Sequence, residues 1–342
     1  MKRILLISPL PPLIGGVSVS TQRLYENLCR DGYQVKRYNL KFSNPQFNNA
    51  IGIALRFFCI PFYILFHRKF DIIHCHVPGI YRKLYMALCK PLFKGSKLIY
   101  TIHGDITSLI SNKYLPLILR KADRIICVQP GDSFKLPLEY RIKSVDIPAF
   151  IMPTNISDEG IPAYILDFLR HKTAPTLIMN GSIILSTDYY DLYGFEETLN
   201  LFQKFKSDKR TVKLLMIING NLNEEQSLFV KHLVDKTKDA PNVLIVQNEH
   251  FELTPLFKYC DVCLRPTKTD GDSLTIREAL AMGCQVVASD VSQRPPGTLI
   301  YHLGNVVDFY EKTCQAITSP ASKIQQTDYY LLIKQQYELL SD

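Results

Sequence analysis

Short runs of aliphatic and β-branched residues alternate with longer amphipathic stretches from one end of the chain to the other. RILLIS (3–8), YQVKRYNL (33–40), DIIHCH (71–76), KLIYTIH (97–103), DRIICVQ (123–129) and KSVDIP (143–148) predict the strands of a first sheet. PTLIMNG (175–181), VKLLMIING (212–220), NVLIVQN (242–248), DVCLRP (261–266), QVVASD (285–290) and GTLIYH (297–302) predict a second series. Runs that are apolar on both faces and stand a helix-length apart are the pattern of parallel strands covered on both sides. Two doubly wound α/β domains are the natural outcome. Between the series, residues 147–169 hold three prolines and no clear period before Ile161, so a linker is expected at about 150–172. The first domain is then 1–155 and the second 172–323. The closing stretch, about 324–342, has helical spacing with no strand after it. Such a helix must dock, and the first domain is the expected place.

Doubly wound sheets bind ligands beyond the carboxyl ends of their strands. After the first strand stand Gly15 and Gly16, just before a helix expected to start near Ser18. Bare backbone N–H groups there suit an anion, although a tight turn alone also calls for glycine. The dinucleotide fingerprint G-x-G-x-x-G is absent. The fourth strand delivers His103, Gly104 and Asp105 to the mouth of the first sheet, and the third delivers His74 and His76. The two-residue spacing points His74 and His76 to one face, with no third ligand in reach for a metal.

The densest chemistry lies in RPTKTDGDSLTIREALAMGCQVVASD (265–290). A strand exit and a polar turn lead into a helix closed by Gly283, and a further strand follows. Asp270, Asp272 and Ser273 are all competent helix caps, and with Gly271 and Leu274 they form a turn whose N–H groups sit at a positive helix end. Glu278, one turn into the helix, suits a pair of vicinal hydroxyls. Arg265, Lys268 and Arg277 supply cations for a leaving phosphate. A well-capped helix with solvated charges is the bland alternative.

Composition adds an asymmetry. Residues 1–150 hold 22 Lys and Arg against 8 Asp and Glu, whereas residues 151–342 hold 18 against 24. The first half therefore suits an anionic partner, whether nucleic acid, a membrane surface or a phosphorylated substrate, or else is a solvated basic face. Nine cysteines, an odd number lying mostly in apolar runs, predict reduced thiols in a cytosolic protein. Cys260 and Cys263 form a C-x-x-C with no second pair to complete a zinc site, so core packing is expected. Residues 51–70, IGIALRFFCIPFYILFHRKF, are interrupted by Arg56 and Pro61 and fall short of a membrane span. They predict a buried helix, or one lying in a membrane interface with His67, Arg68 and Lys69 at the headgroups.

Taken in order, GGVSVSTQRLYENLCRDGYQV, DIIHCH, LIYTIHGD, ADRIICVQP and LTPLFKYCDVCLRPTKTDGDSLTIREALAMGCQVVASD resemble glycosyltransferase family 4 over essentially the whole chain. The resemblance implies a GT-B fold, two Rossmann-like domains facing across a cleft, and metal-independent retaining transfer from a nucleotide-diphosphate sugar without a cofactor. It implies that Glu278 holds the donor ribose, and that Asp270 stands where the family's first carboxylate, a glutamate, should be. Asp272, Ser273 and Leu274 then form the turn facing sugar and phosphate, Gly16 is the glycine that approaches phosphate, and His103 is the histidine near the transferred sugar. Two departures concern the diphosphate. Where the family offers an arginine and a lysine after the first strand of its second domain, this chain has Ser182, following Gly181, and Tyr193. Arg265 or Lys268 is then expected to take over the charge.

The implied protein is a cytoplasmic enzyme, peripheral on the inner face of the membrane. It would transfer a hexosyl or N-acetylhexosaminyl group to a glycan or polyisoprenyl-linked acceptor in surface polysaccharide biosynthesis. The anionic membrane would be a partner, and nucleic acid would not, since the donor block is unexplained by it. The rival is a catalytically inactive GT-B scaffold or binding protein, motivated by the two missing cations. Epimerase or phosphorylase chemistry lacks its acid–base pair and its cofactor lysine.

Overall fold

The apolar runs pair edge to edge as parallel strands in the computed structural model, which describes residues 2–10, 15–40, 50–67, 70–93, 95–104, 106–185, 190–247, 249–320 and 322–340. Asp105, Arg68 and Lys69 lie outside the described residues. The chain divides into two units, Met1–Thr154 with Asp328–Asp342, and Asn155–Thr327.

In the first unit the strands are β1 (Arg3–Ser8), β2 (Gln34–Asn39), β3 (Ile72–Cys75), β4 (Lys97–Ile102), β5 (Arg124–Cys127) and β6 (Ser144–Asp146), in the order β2-β1-β3-β4-β5-β6. Alternate residues point to opposite faces. Leu5, Ile7, Ile73, Cys75, Leu98 and Tyr100 pack under Phe57, Ile60, Ile64 and Met86. Those four come from helices α2 (Ala50–Phe58), α3 (Ile60–Phe66) and α4 (Ile80–Cys89). Ile4, Leu6, Ile72, Ile99 and Ile126 pack on the other face with Leu24 and Leu28 of helix α1 (Gly16–Arg30) and with Tyr330, Ile333 and Tyr337 of a closing helix, Tyr330–Leu339. Lys334 and the Tyr330 hydroxyl both bond the Asp31 carboxylate, at 2.7 and 2.8 Å, and Arg124 donates to Gln336 at 2.7 Å. The closing helix thus belongs to the first unit.

The stretch 51–70 folds as α2 and α3 with two distinct sides. Phe57, Ile60 and Ile64 are buried, while Leu55, Phe58, Phe62 and Phe66 are 59%, 54%, 61% and 86% exposed. Among the described residues no helix is long and apolar enough to cross a membrane.

The second unit repeats the plan with β7 (Thr176–Ser182), β8 (Lys213–Asn219), β9 (Val243–Gln247), β10 (Val262–Arg265), β11 (Gln285–Ser289) and β12 (Thr298–Tyr301), ordered β12-β11-β10-β7-β8-β9. Cys260, Cys263 and Cys284 are core residues here, and burial pushes the Cys263 thiol up to about 12. The span expected to be a linker is only partly one. Ala163–Arg170 is a helix whose Ile165, Leu166 and Leu169 enter the second core, because the apolar spacing that begins at Ile161 is already helical.

Candidate active site

In an open parallel sheet the ligand crevice forms where strand order reverses. In the second unit that point lies between β7 and β10, at Ser182 and Arg265. Arg265 donates from Nε to Asp270 Oδ2 and from Nη2 to Asp270 Oδ1, both at 3.0 Å, a bidentate fork. Arg294, which the sequence reading missed, closes the other side, Nη1 to Asp270 Oδ2 at 2.8 Å. It is itself held by the Ser289 carbonyl at 2.9 Å and the Ser289 hydroxyl at 3.2 Å, with its side chain 1% exposed. Burial works to raise the Asp270 pKa, but Arg265 and then Arg294 outweigh it and hold the carboxyl below its usual range. Two cations around one anion leave this buried cluster with a net positive charge.

Tyr193 belongs to the same corner. The Arg265 guanidinium lies 4.8 Å from its ring centroid. A Cβ on Gly181 would come within 2.6 Å of that ring, so glycine is required there by packing. Of the two positions where the expected cations are missing, Ser182 and Tyr193, the second thus adjoins the guanidinium of Arg265. Lys268 instead donates its side chain to the Tyr190 carbonyl.

Helix Leu274–Met282 starts from Ser273, whose extended backbone fits the N-cap position. Of Asp270, Asp272 and Ser273, the three competent caps, it is Ser273 that takes the N-cap position. Ser273 makes no side-chain cap bond, and its hydroxyl is buried without a partner among the described residues. Asp270 is engaged by the two arginines. Asp272 pairs with Arg277 at 2.7 Å through Oδ1, while its Oδ2 is buried and unpartnered among the described residues. Burial raises the Asp272 pKa despite that pair. Gly271 lies in the turn, Leu274 opens the helix, and Glu278 is buried one turn in, at 3% exposure. The turn therefore sets, at a helix start, a hydroxyl and a carboxylate oxygen that have no partner among the described residues.

In the first unit strand order reverses between β1 and β3. Gly15 and Gly16 follow β1 at the start of α1. Gly15 has φ −163°, ordinary extended backbone, and a Cβ there would meet nothing within 4 Å, so neither strain nor packing calls for glycine. β3 and β4 bring three imidazoles together, His76 Nδ1 lying 2.8 Å from His103 Nε2 and the His74 ring 4.1 Å from the His76 ring. Burial pushes His74 down to about 3, His76 well below its usual value, and His103 down to about 4, the last with help from Lys83. All three are neutral near neutral pH. Among the described residues no group of three His, Cys, Asp or Glu side chains is placed so that it could hold a metal ion.

Residues 14–143 match the model of Glycosyltransferase Family 4. The resemblance read from the sequence holds over that stretch, and the chain has the GT-B fold. Anabaena HepE in complex with UDP and glucose superposes over 100% of both chains with TM-score 0.68 at 14% identity. Sucrose-phosphate synthase from Thermosynechococcus elongatus covers 99% of this chain and 95% of its own, with TM-score 0.65 at 15% identity. The UDP-forming trehalose-phosphate synthase from Burkholderia xenovorans, in complex with glucose-6-phosphate, covers 99% and 97%, with TM-score 0.66 at 13% identity. At such identities the likeness is one of fold. No curated protein matches the sequence.

Arg294 was missed because it is 24 positions from Asp270 in sequence and reaches it only through the exit of β11. The one available signal was an arginine placed before Pro-Pro just after a strand's carboxyl end.

Proposed function

We propose that the chain is a retaining glycosyltransferase whose second unit holds a nucleotide-diphosphate sugar and whose first unit serves the acceptor. The observation that carries this reading is the turn before Leu274–Met282. Oxygens of Asp272 and Ser273 that are buried without a partner among the described residues stand at a helix N-terminus, in one turn with a carboxylate clamped by Arg265 and Arg294. Glu278 takes the ribose hydroxyls, and Asp272 and Ser273 meet sugar and phosphate. Arg265 and Arg294 supply the charge that Ser182 and Tyr193 do not, with Asp270 as the residue that aims them. The bond from the anomeric carbon to phosphate oxygen breaks, the acceptor oxygen bonds that carbon on the same face, and its proton passes to the departing diphosphate. Neither a protein nucleophile nor a metal is required, since fixed cations and N–H dipoles stabilise the leaving group.

The acceptor is read as a glycan, polyisoprenyl-linked, at the inner face of the cytoplasmic membrane. Support comes from the exposed Leu55, Phe58, Phe62 and Phe66 of α2 and α3, and from the basic first half of the chain, each cation adding ~1 kcal/mol at an anionic surface. Hexosyl or N-acetylhexosaminyl donors fit the same reading. The test is incubation with phosphatidylserine vesicles carrying a polyisoprenyl-linked glycan, plus UDP-, GDP- and ADP-sugars. Expected are flotation with the vesicles at low salt, its loss in a folded Phe62→Ser/Phe66→Ser variant, and transfer with the anomeric configuration retained. Absence of flotation removes the membrane part. Transfer from no donor moves the scaffold reading, which Ser182 and Tyr193 favour, to the front.

A further inference from the structure

At the switch point of the first sheet, strand register lines up a row of polar side chains. Leu6 pairs with His74 and Ile7 with Cys75, while Cys75 pairs with Tyr100. The His76 N–H still bonds the Ile7 carbonyl at 2.8 Å, so the same register sets Ser8 beside His76, and His76 beside Thr101, on one face. His74 is satisfied at both nitrogens, Nδ1 by the Tyr337 hydroxyl at 2.6 Å and Nε2 by the Thr101 hydroxyl at 2.7 Å. His76 is satisfied only at Nδ1, by His103. Its Nε2 is buried without a partner among the described residues, and so is Ser8 Oγ. His103 is half-buried and bonds, among the described residues, through Nε2 alone.

A bond between two neutral imidazoles has one donor. If His103 Nε2 gave the proton, His76 would carry its own proton on Nε2 and bury an N–H with no established acceptor. In the opposite arrangement His76 Nδ1 donates and Nε2 is a bare lone pair that buries no proton. Buried orphan N–H groups are rarer than under-satisfied acceptors, which favours the second arrangement. We infer that His76 is a positioning residue that fixes His103 in its Nδ1–H form, so that His103 meets its ligand as a neutral hydrogen-bond donor and not as a base. Lys83 supports this from behind. It is buried, its ammonium donates to the Val77 carbonyl at 2.7 Å, and its charge opposes a proton on His103.

The ligand oxygen that accepts from His103 is a sugar hydroxyl, which rests on the glycosyl-transfer reading. The tautomer does not. Nitrogen-15 NMR of the histidine side chains in the full chain near neutral pH, with no donor added, is expected to show His103 protonated at Nδ1 and bare at Nε2. His76→Leu should move His103 toward Nε2–H and lower kcat/KM by roughly three- to tenfold, the worth of one neutral hydrogen bond. His76→Asn, which restores an N–H near the position of Nδ1, should return both. A charged or Nε2-protonated His103 in the unaltered chain overturns the inference. So does an unchanged tautomer in His76→Leu. The expected tautomers with no transfer from any donor would instead leave it standing and count against glycosyl transfer.

Discussion

The switch points of the two sheets handle buried polarity in opposite ways. The second unit keeps charges and pairs them, Arg265 on both oxygens of Asp270 and Arg294 on Oδ2. The first unit keeps three imidazoles uncharged, His76 hydrogen-bonded to His103 and His74 to Thr101 and Tyr337. A paired cation cluster with charge to spare suits a diphosphate, and a neutral donor suits a sugar hydroxyl. One plan of parallel strands thus supports two kinds of recognition, decided by the residues that follow β1, β3, β7 and β10.

Acid separates the two regions most sharply. The folded histidines titrate below their ordinary 6.5, His103 at about 4 and His74 at about 3, so the unfolded chain takes up protons that the native first unit refuses. Stability contributed by these groups is present above 6.5 and lost as pH falls below it, at ~1.4 kcal/mol per pH unit for each fully buried histidine. Asp270 is depressed from 3.8, so its contribution survives to that pH and is lost only below it. Hydrogen exchange measured along a pH series should show the first unit losing protection before the second. Simultaneous loss would mean that the imidazoles are not kept neutral by burial.

Breaking the paired cluster directly has the next largest effect. Asp270→Leu leaves two buried guanidinium groups without their anion and should lower stability by about 3–5 kcal/mol in urea denaturation. Adding Arg294→Met to that variant should recover part of the loss. A single substitution that costs less than about 1 kcal/mol would show that the arginines are solvated and not held by Asp270.

Much of this was legible in the chain. The strands announced themselves because parallel strands covered on both faces are apolar throughout, as RILLIS and VKLLMIING are. The turn 270–273 and buried Glu278 were likewise visible, since a helix start needs caps and a carboxylate inside an apolar helix is conspicuous. Side-chain pairings over long separations were not. Nothing local links Arg294 to Asp270, or His76 to His103, because each contact is made by strand order. Tyr193 read as a missing cation, and only packing shows that it adjoins Gly181 and carries Arg265 over its ring. Ser273 read as a cap, whereas its hydroxyl is left unused by the helix it starts.

The measurement that bears most directly on the donor site is calorimetric titration of the full chain with UDP, GDP, ADP and their common sugars, with Glu278→Ala in parallel. One nucleotide is expected to bind at micromolar strength, about −8 kcal/mol, and to lose that binding in Glu278→Ala while the fold is kept. Silence from every nucleotide, or equal binding by the variant, would contradict a donor site at the turn before Leu274–Met282.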